Sequence, residues 1–322
     1  MKVLVTGGAG YVGSTLVPEL LGQGHQVRVL DALLHGGGAL LGVWGHPGFA
    51  FARGDIRQDE VVRDALDGIE AVVHLAAIVG DPACARDPQL ATEVNLEASL
   101  RLLQAIRDAG VRRFIFASTC SNYGRMKDPT QLVDESSELA PVSLYAETKV
   151  AVEHATLALA QEHGTCATAV RLATVFGVSP RMRFDLTVNE FTAEMVVTGR
   201  LRVFGEQFWR PYVHVRDAAH AIAQLLARPE PEVRGEVFNV GATDQNYQKQ
   251  QLVELIRPYA PTATVEYVHK AEDPRDYRVS FRRLHDRLGF RTTWTVADGI
   301  REVVDLVRSG AVGDYTESRY RN

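Results

Sequence analysis

Lys2-Val-Leu-Val-Thr-Gly-Gly-Ala-Gly-Tyr-Val-Gly13 is the stretch that decides the fold. Val3 to Val5 form a short apolar run that reads as a buried strand, and Ser14 to Gly22 reads as a helix. Gly8-Ala-Gly10-Tyr-Val-Gly13 therefore lies at a strand, tight turn, helix junction, the context a dinucleotide fingerprint requires. The glycines let the backbone turn sharply and approach a pyrophosphate, while the helix N-terminus offers N–H groups and a partial positive charge. A second strand, His25 to Leu30, ends in Asp31, eighteen residues past Gly13. A carboxylate there can accept hydrogen bonds from the adenosine ribose hydroxyls. No Lys or Arg lies between 32 and 38 to hold a 2′-phosphate, so NAD is favoured over NADP.

The same rhythm continues outward. Strands are predicted at Gln26 to Leu30, Ala50 to Arg53, Ala71 to Leu75, Phe114 to Ala117 and Ala167 to Leu172. Helices are predicted at Gln58 to Leu66, Pro88 to Ala109 and Leu144 to His163. This alternation implies an α/β fold, a Rossmann-type doubly wound parallel sheet. After Gly177 the alternation breaks down. Tyr212 to Val215, a helix from Arg216 to Ala227 and a strand from Glu236 to Val240 read as a return to the first lobe. The NAD-binding domain is thus expected to span 1–177 plus about 212–240. A smaller C-terminal substrate-binding lobe is expected from about 178–211 and 241–322, with helices near Leu186 to Thr198, Gln248 to Ala260 and Ala297 to Arg308.

Composition narrows the partners. The 322 residues are 46% apolar, enough for a substantial core, and the net charge of −5 gives no reason to expect nucleic acid or an anionic membrane. No apolar run approaches a membrane span, and the first strand begins at once, leaving no room for a signal peptide. Cys84, Cys120 and Cys166 are few, odd in number and without metal-ligand spacing. No metal is expected, and a reducing cytoplasm suits them. Gly36-Gly-Gly38 with Gly42 and Gly45 reads as a mobile loop.

Two further pieces carry chemistry. Tyr145 and Lys149 are four residues apart in a helical segment, which puts their Cβ atoms on one face about 6 Å apart. A neighbouring ammonium favours phenolate, making a tyrosine a usable general acid or base. Thr119, after Ser118 at a strand end in the same crevice, can hold a substrate oxygen. Tyr-x-x-x-Lys is common in helices by chance; its position after the glycine fingerprint and the Ser-Thr strand end gives it weight. His74 and His214 read as structural strand histidines. Arg181 and Arg183 read either as a solvated basic loop or as a phosphate or sugar contact.

With these pieces in place, the chain resembles the extended short-chain dehydrogenase/reductase family, in particular its nucleotide-sugar epimerases and dehydratases. The motifs are Thr6 to Gly13, Gly54-Asp55-Ile-Arg57, Val73-His-Leu-Ala-Ala77, Asn95, Phe116-Ala-Ser-Thr-Cys-Ser-Asn-Tyr-Gly124, Tyr145-x-x-x-Lys149 and Arg210-Pro-Tyr-Val-His-Val-Arg-Asp217. The resemblance implies that Gly7, Gly10 and Gly13 line the pyrophosphate, with Tyr11 and Val12 also on the cofactor, that Asp31 holds the ribose, and that Asp55 and Ile56 flank the adenine. Leu75, Ala76, Ala77, Asn95 and Ser118 would lie by the cofactor, with Tyr145 and Lys149, the latter also reaching the nicotinamide ribose. Arg210 would grip the diphosphate of a nucleotide-diphosphate sugar, work that suits its planar fork. A second diphosphate contact falls near Lys270 or Arg275. Thr119, Cys120, Ser121, Thr174, Arg183 and Asn189 complete the implied substrate side. A homodimer through the helices 88–109 and 144–163 is implied as well.

Departures from the family pattern narrow the reaction. Its dehydratases carry an Asp-Glu pair after the Thr, where this chain has Cys120 and Ser121, a poor acid and base near neutral pH. Its 3,5-epimerases place a Cys where Ser121 stands; Cys120, one position earlier, reads as packing. Thr174 of Arg171-Leu-Ala-Thr174 replaces an Asn that contacts substrate in the family. Ser179-Pro-Arg-Met-Arg-Phe-Asp-Leu186, Val188-Asn-x-Phe191 and Arg275-Asp-Tyr-Arg-Val-Ser280 are similar to a branch with nucleotide-hexose and nucleotide-heptose 4-epimerases and 4-dehydrogenases. The expected function is an NAD-dependent nucleotide-sugar 4-epimerase working through a transient 4-keto sugar, with Thr119, Tyr145 and Lys149 as its catalytic residues. A 4-dehydrogenase or 4-ketoreductase with the same site, and a non-enzymatic NAD-binding regulator, are the alternatives.

Overall fold

The computed structural model describes residues 1–125, 128, 131–270 and 276–322. Its strands are β1 (Lys2–Thr6), β2 (Gln26–Asp31), β3 (Phe49–Arg53), β4 (Ala71–His74), β5 (Arg113–Thr119), β6 (Cys166–Leu172), β7 (Thr174–Phe176), β8 (Arg200–Phe204), β9 (Trp209–His214), β10 (Val237–Val240), β11 (Asn246–Gln248) and β12 (Thr264–Val268). Seven of them form one sheet in the order β10-β6-β5-β4-β1-β2-β3. The pairs β1–β2, β1–β4, β2–β3 and β4–β5 are parallel. This is the expected Rossmann-type α/β fold.

β1 has β2 on one side and β4 on the other, so successive crossovers leave it in opposite directions. That switch point sets a crevice at the carboxyl ends of β1 and β4, where Gly7 and Leu75 follow. Val3, Leu4, Val5, Ala71, Val72 and Val73 are fully buried, as near-continuous apolar runs are when helices cover both faces of a parallel sheet. One core cluster joins Leu4, Leu30, Val72, Phe114 and Phe116 to Leu102 and Ile106 of the helix Ser99–Asp108 and to Val152 and Leu159 of Leu144–Glu162. Each such side chain contributes roughly 1.5–3 kcal/mol by leaving water.

The helix expected over 88–109 forms over 88–108, with a change of winding inside it. Pro88–Thr92 leads into a π-helical turn, Glu93–Ala98, before Ser99–Asp108 resumes. The wider turn carries Asn95, whose amide bonds to both backbone groups of Ile78. Hydrophobic spacing alone does not register one residue extra per turn.

By contacts the chain divides into a first unit of Met1–Thr119, Ser143–Arg171 and Ala219–Phe238, and a second of Cys120–Val142, Leu172–Ala218 and Asn239–Asn322. The expected return of Tyr212 to Val215 to the first lobe is corrected here. β9 pairs in parallel with β7 and antiparallel with β11, in a three-stranded sheet of its own. Its residues Arg210 to His214 are all buried, so their pattern could not tell which sheet they join. β8 and β12 make a parallel pair. The second core gathers Phe176, Val188, Tyr212, Leu252 and Ile300. Segment 120–142 belongs to this unit, where Val133 bridges Val279. β7 and β11, of three residues each, and the helices Asp81–Arg86 and Arg282–Leu288 are too short for hydrophobic periodicity to announce. The glycine-rich patch holds a 3-10 helix, Gly38–Val43, with Leu40 buried. Among the described residues no helix is long and apolar enough to cross a membrane.

Candidate active site

The glycine turn is tight. Gly7 adopts φ +73°, and a Cβ there would stand 2.7 Å from the amide nitrogen of Ala76, a left-handed and crowded position that glycine alone tolerates well. Gly7 N–H bonds to Leu30 O and Gly10 N–H to Gly7 O. A Cβ on Gly13 would run into the backbone of Gly7 and Gly8. The helix Gly13–Gly22 starts after Val12 with no side-chain cap and no acidic residue in its first turn, leaving its N-terminal dipole uncompensated by the chain. Tyr11, within this turn, is buried.

Asp31 closes β2. Its carboxylate accepts the N–H groups of Ala9 (2.9 Å) and Leu33 (2.8 Å), so it ties the loop after β2 to the glycine turn. Burial pushes its pKa up and these two bonds oppose that shift. Leu33 takes φ 58° to point its N–H there, a left-handed conformation unusual for a branched-chain residue. Asp55 is paired with Arg57 at 2.9 Å, and Ile56 is buried. Leu75 N–H bonds to Thr6 O, and Ala76 N–H to Thr6 Oγ1 at 3.4 Å. Asn95 clamps Ile78, one residue past Ala77, and its Nδ2 also reaches Cys84 Sγ at 3.6 Å.

Ser143 starts the long helix Leu144–Glu162. Its hydroxyl accepts from Ala146 N–H and donates to Asp81 at 2.8 Å, a cap that orients the first turn. Half-buried Tyr145 lies in that turn and Lys149 one turn on. Lys149 Nζ donates to Ala117 O at 2.8 Å and stands 4.8 Å from the Phe116 ring centroid and 6.0 Å from that of Tyr145. Burial pushes its pKa down to about 8. The same face continues to Glu153, which is fully buried. Its carboxylate accepts Ser118 Oγ–H at 2.6 Å and the Arg171 guanidinium at 2.5 to 3.2 Å. β5 and the helix are therefore laced together beside Thr119, itself 7% exposed.

His74 is structural, as expected. Its ring nitrogens engage Thr6 Oγ1 (2.7 Å) and Ser99 Oγ (2.9 Å). Burial, then the Lys149 charge, hold it neutral with a pKa of about 3. Cys84 is a buried thiol pushed up to about 11 by burial.

In the second unit Cys120 and Ser121 begin a 3-10 turn, Cys120–Tyr123, directly after Thr119. Cys120 is buried. Thr174 is half-buried on β7 opposite Tyr212. Arg181 and Arg183 are 6% and 7% exposed, which rules out a solvated loop. The fork of Arg183 is on Asp185 at 2.6 and 2.9 Å, and Arg181 donates to Arg321 O and Asn322 Oδ1. Asn189 is fully buried and clamps Gly177 and Arg183 through their backbones. Arg210, 8% exposed, donates to Trp209 O and lies 5.7 Å over the Tyr277 ring. Lys270 is exposed, with Nζ 5.4 Å from the Phe204 ring; Arg275 lies outside the described residues. His214 is buried as expected and binds Glu302 at 2.8 Å, and Glu302 also accepts Val178 N–H.

Comparison with known proteins settles the family. Residues 3–241 match the model of the NAD dependent epimerase/dehydratase family. The chain belongs to that family. It is 31% identical to a UDP-glucose 4-epimerase of Streptomyces lividans over 90% of its own length and 91% of the relative's. It is 32% identical to a dTDP-glucose 4,6-dehydratase of Streptomyces griseus, over 94% and 92%. Among solved structures, the Thermus thermophilus UDP-glucose 4-epimerase in complex with NAD superposes with a TM-score of 0.83 at 31% identity, covering 97% of this chain and 100% of that one.

NAD is the cofactor of this epimerase/dehydratase family member, and the glycine turn passes a test of fit. Its backbone is packed so closely that no Cβ enters at Gly7 or Gly13, and the uncapped helix end beside it suits a pyrophosphate. The residues missed by sequence reasoning are those that brace others: Ser143, Glu153 and its bond to Arg171, Tyr277 and Glu302. Two left a signal. Ser143 is an N-cap residue immediately before a helical run, and Glu153 repeats the four-residue step from Tyr145 to Lys149.

Proposed function

We propose that this protein is a nucleotide-sugar 4-epimerase in which Tyr145 acts as general acid and base. The observation that carries the reading is the buried Lys149 ammonium, tied to Ala117 O and 6.0 Å from the Tyr145 ring. NAD, when bound, supplies reversible acceptance of the C4 hydride. Gly7, Gly10, Gly13 and Asp31 would hold it. The Tyr145 phenolate takes the proton of the C4 hydroxyl and later returns it, and Thr119 orients that oxygen. Arg210 binds the diphosphate about which a 4-keto sugar turns to offer its other face. Cys120 and Ser121, in the positions of the family's dehydrating acid and base, support epimerisation over 4,6-dehydration. We extend the reading to a homodimer in the cytoplasm, on the family resemblance and on three buried thiols in no disulfide.

Lys149 makes the reading sensitive to pH. Below pH 8 it keeps its proton, and the charge favours the Tyr145 phenolate; above that pH the neutral amine withdraws the help. With a Lys149 pKa of about 8, kcat/KM is expected to fall on the alkaline side with a midpoint near that value. A pH–rate profile that stays flat to about pH 10 would remove Lys149 from this role.

Proton NMR of UDP, GDP and dTDP hexoses and GDP-heptose, incubated with the purified protein and no added NAD, tests the function. A C4 epimer accumulating over many turnovers supports the proposal and names the substrate. A keto sugar that stops at one equivalent per protein, with absorbance rising at 340 nm, makes the protein a 4-dehydrogenase instead.

A further inference from the structure

Residues 178–186 form no helix and no strand, yet Ser179, Arg181, Met182, Arg183 and Phe184 among them are buried. Irregular backbone inside a protein has no ladder to satisfy it, so its polar groups must find partners elsewhere. Asn189 supplies some of them by holding Gly177 and Arg183 O. Residues 315–322, from the far end of the sequence, supply others. Phe184 N–H donates to Tyr320 O at 2.9 Å, and the Phe184 ring meets those of Tyr315 and Tyr320 edge-on at centroid distances of 5.7 and 5.6 Å. Arg181 donates to Arg321 O at 3.0 Å and Asn322 Oδ1 at 2.8 Å, and Asn322 N–H donates to Asp185 Oδ2 at 3.2 Å. The same carboxylate carries the fork of Arg183. One short segment thus holds both buried arginines, one directly and one through Asp185.

The segment that does this is itself lightly anchored. Thr316 to Arg319 are exposed, and short-range bonds give the backbone its shape: Thr316 N–H donates to Asp314 Oδ1 at 2.8 Å, and Tyr320 N–H to Glu317 O at 3.0 Å. Tyr315 is buried and Tyr320 half-buried, both against Phe184. Exposed turns with few buried apolar contacts open locally at far lower cost than a core strand. Undocking removes acceptors from a backbone N–H and a guanidinium where water has little access, which is costly. The two segments therefore order together.

We propose that residues 315–322 are a strap that positions segment 179–185 for the nucleotide sugar, so that the second unit binds substrate well only with the strap docked. The inference rests on the nucleotide-sugar reading above. Segment 179–185 follows β7, and β7 pairs with β9, the strand that carries the proposed diphosphate anchor Arg210. Tyr320 and Asn322 are positioning residues, acting through Phe184, Arg181 and Asp185.

The test is the double variant Tyr320→Ala with Asn322→Ala, beside Asn322→Ala alone and the conservative Tyr320→Phe, all in the full-length, NAD-loaded protein. Hydrogen exchange read by mass spectrometry, NAD content and steady-state kinetics on the substrate found by NMR are measured together. The double variant is expected to raise exchange in peptides covering 177–186, and KM, by about tenfold or more, as losing an aromatic pair and a hydrogen bond to a charged group would. Exchange in β1 and β9, NAD content and kcat should stay near wild type. Asn322→Ala alone should move exchange and KM the same way by less, and Tyr320→Phe, which keeps the ring, should leave both unchanged. Unchanged exchange at 177–186 in the double variant overturns the strap. Exchange raised equally in β9 means a general loss of stability and overturns it too, and raised exchange at 177–186 with unchanged KM leaves a packing contact. If the wild type turns over no nucleotide sugar, the functional reading falls and the substrate role of the strap with it; if wild type and double variant are kinetically alike, only this inference falls.

Discussion

Tyr145→Phe is expected to lower turnover by about 10²- to 10⁴-fold, the usual contribution of a positioned general acid or base, while the protein still purifies with NAD. The ring would remain in the first turn of its capped helix, so the fold loses only one oxygen. Lys149 would stay on Ala117 O and the Phe116 ring, and the glycine turn is built from other elements. Turnover by NMR and the NAD content of denatured protein are the two measurements. A variant within tenfold of wild type would take the proton-transfer role away from Tyr145, and one that has lost NAD would make Tyr145 a binding residue first.

Arg171→Leu should produce the largest loss of stability. Glu153 and Arg171 have side chains 1% and 5% exposed, and removing the arginine leaves a carboxylate in the core beside the hydroxyl of Ser118. Breaking one side of a buried pair costs about 3–5 kcal/mol, which for units of this size lowers the thermal midpoint by about 10 °C. Glu153→Leu combined with Arg171→Leu should regain much of that loss, because an apolar pair of similar volume has no charge to desolvate. Thermal and urea melts of the three variants decide it. A single variant melting within about 2 °C of wild type would mean that water reaches Glu153.

The sequence speaks unevenly about the chemistry and the scaffold that carries it. Fingerprint residues announce themselves because their reasons are local. Gly7 must adopt a positive φ, Asp31 must follow an apolar strand, and Lys149 must stand one helical turn from Tyr145. Thr119 is legible because a Ser-Thr pair ends an apolar run. Arg183 and Asn189 read as substrate ligands from their motif, yet the structure shows Arg183 forked on Asp185 and Asn189 clamping backbone. Nothing in a sequence motif says which of several neighbouring acceptors an arginine will meet.

From residue order alone came the doubly wound sheet, the NAD fingerprint and the face shared by Tyr145 and Lys149, all governed by backbone conformation and by periods of two and 3.6 residues. Tertiary structure decided the sheet that β9 joins, the π-helical turn at Asn95, the buried Ser118–Glu153–Arg171 chain and the placing of Tyr277 between Arg210 and Ser121. Each of these joins residues at least seventeen apart in the chain. Their partners are chosen by burial, where a polar group must find an acceptor or donor or forfeit its hydration, and that choice exists only once the chain has closed around it.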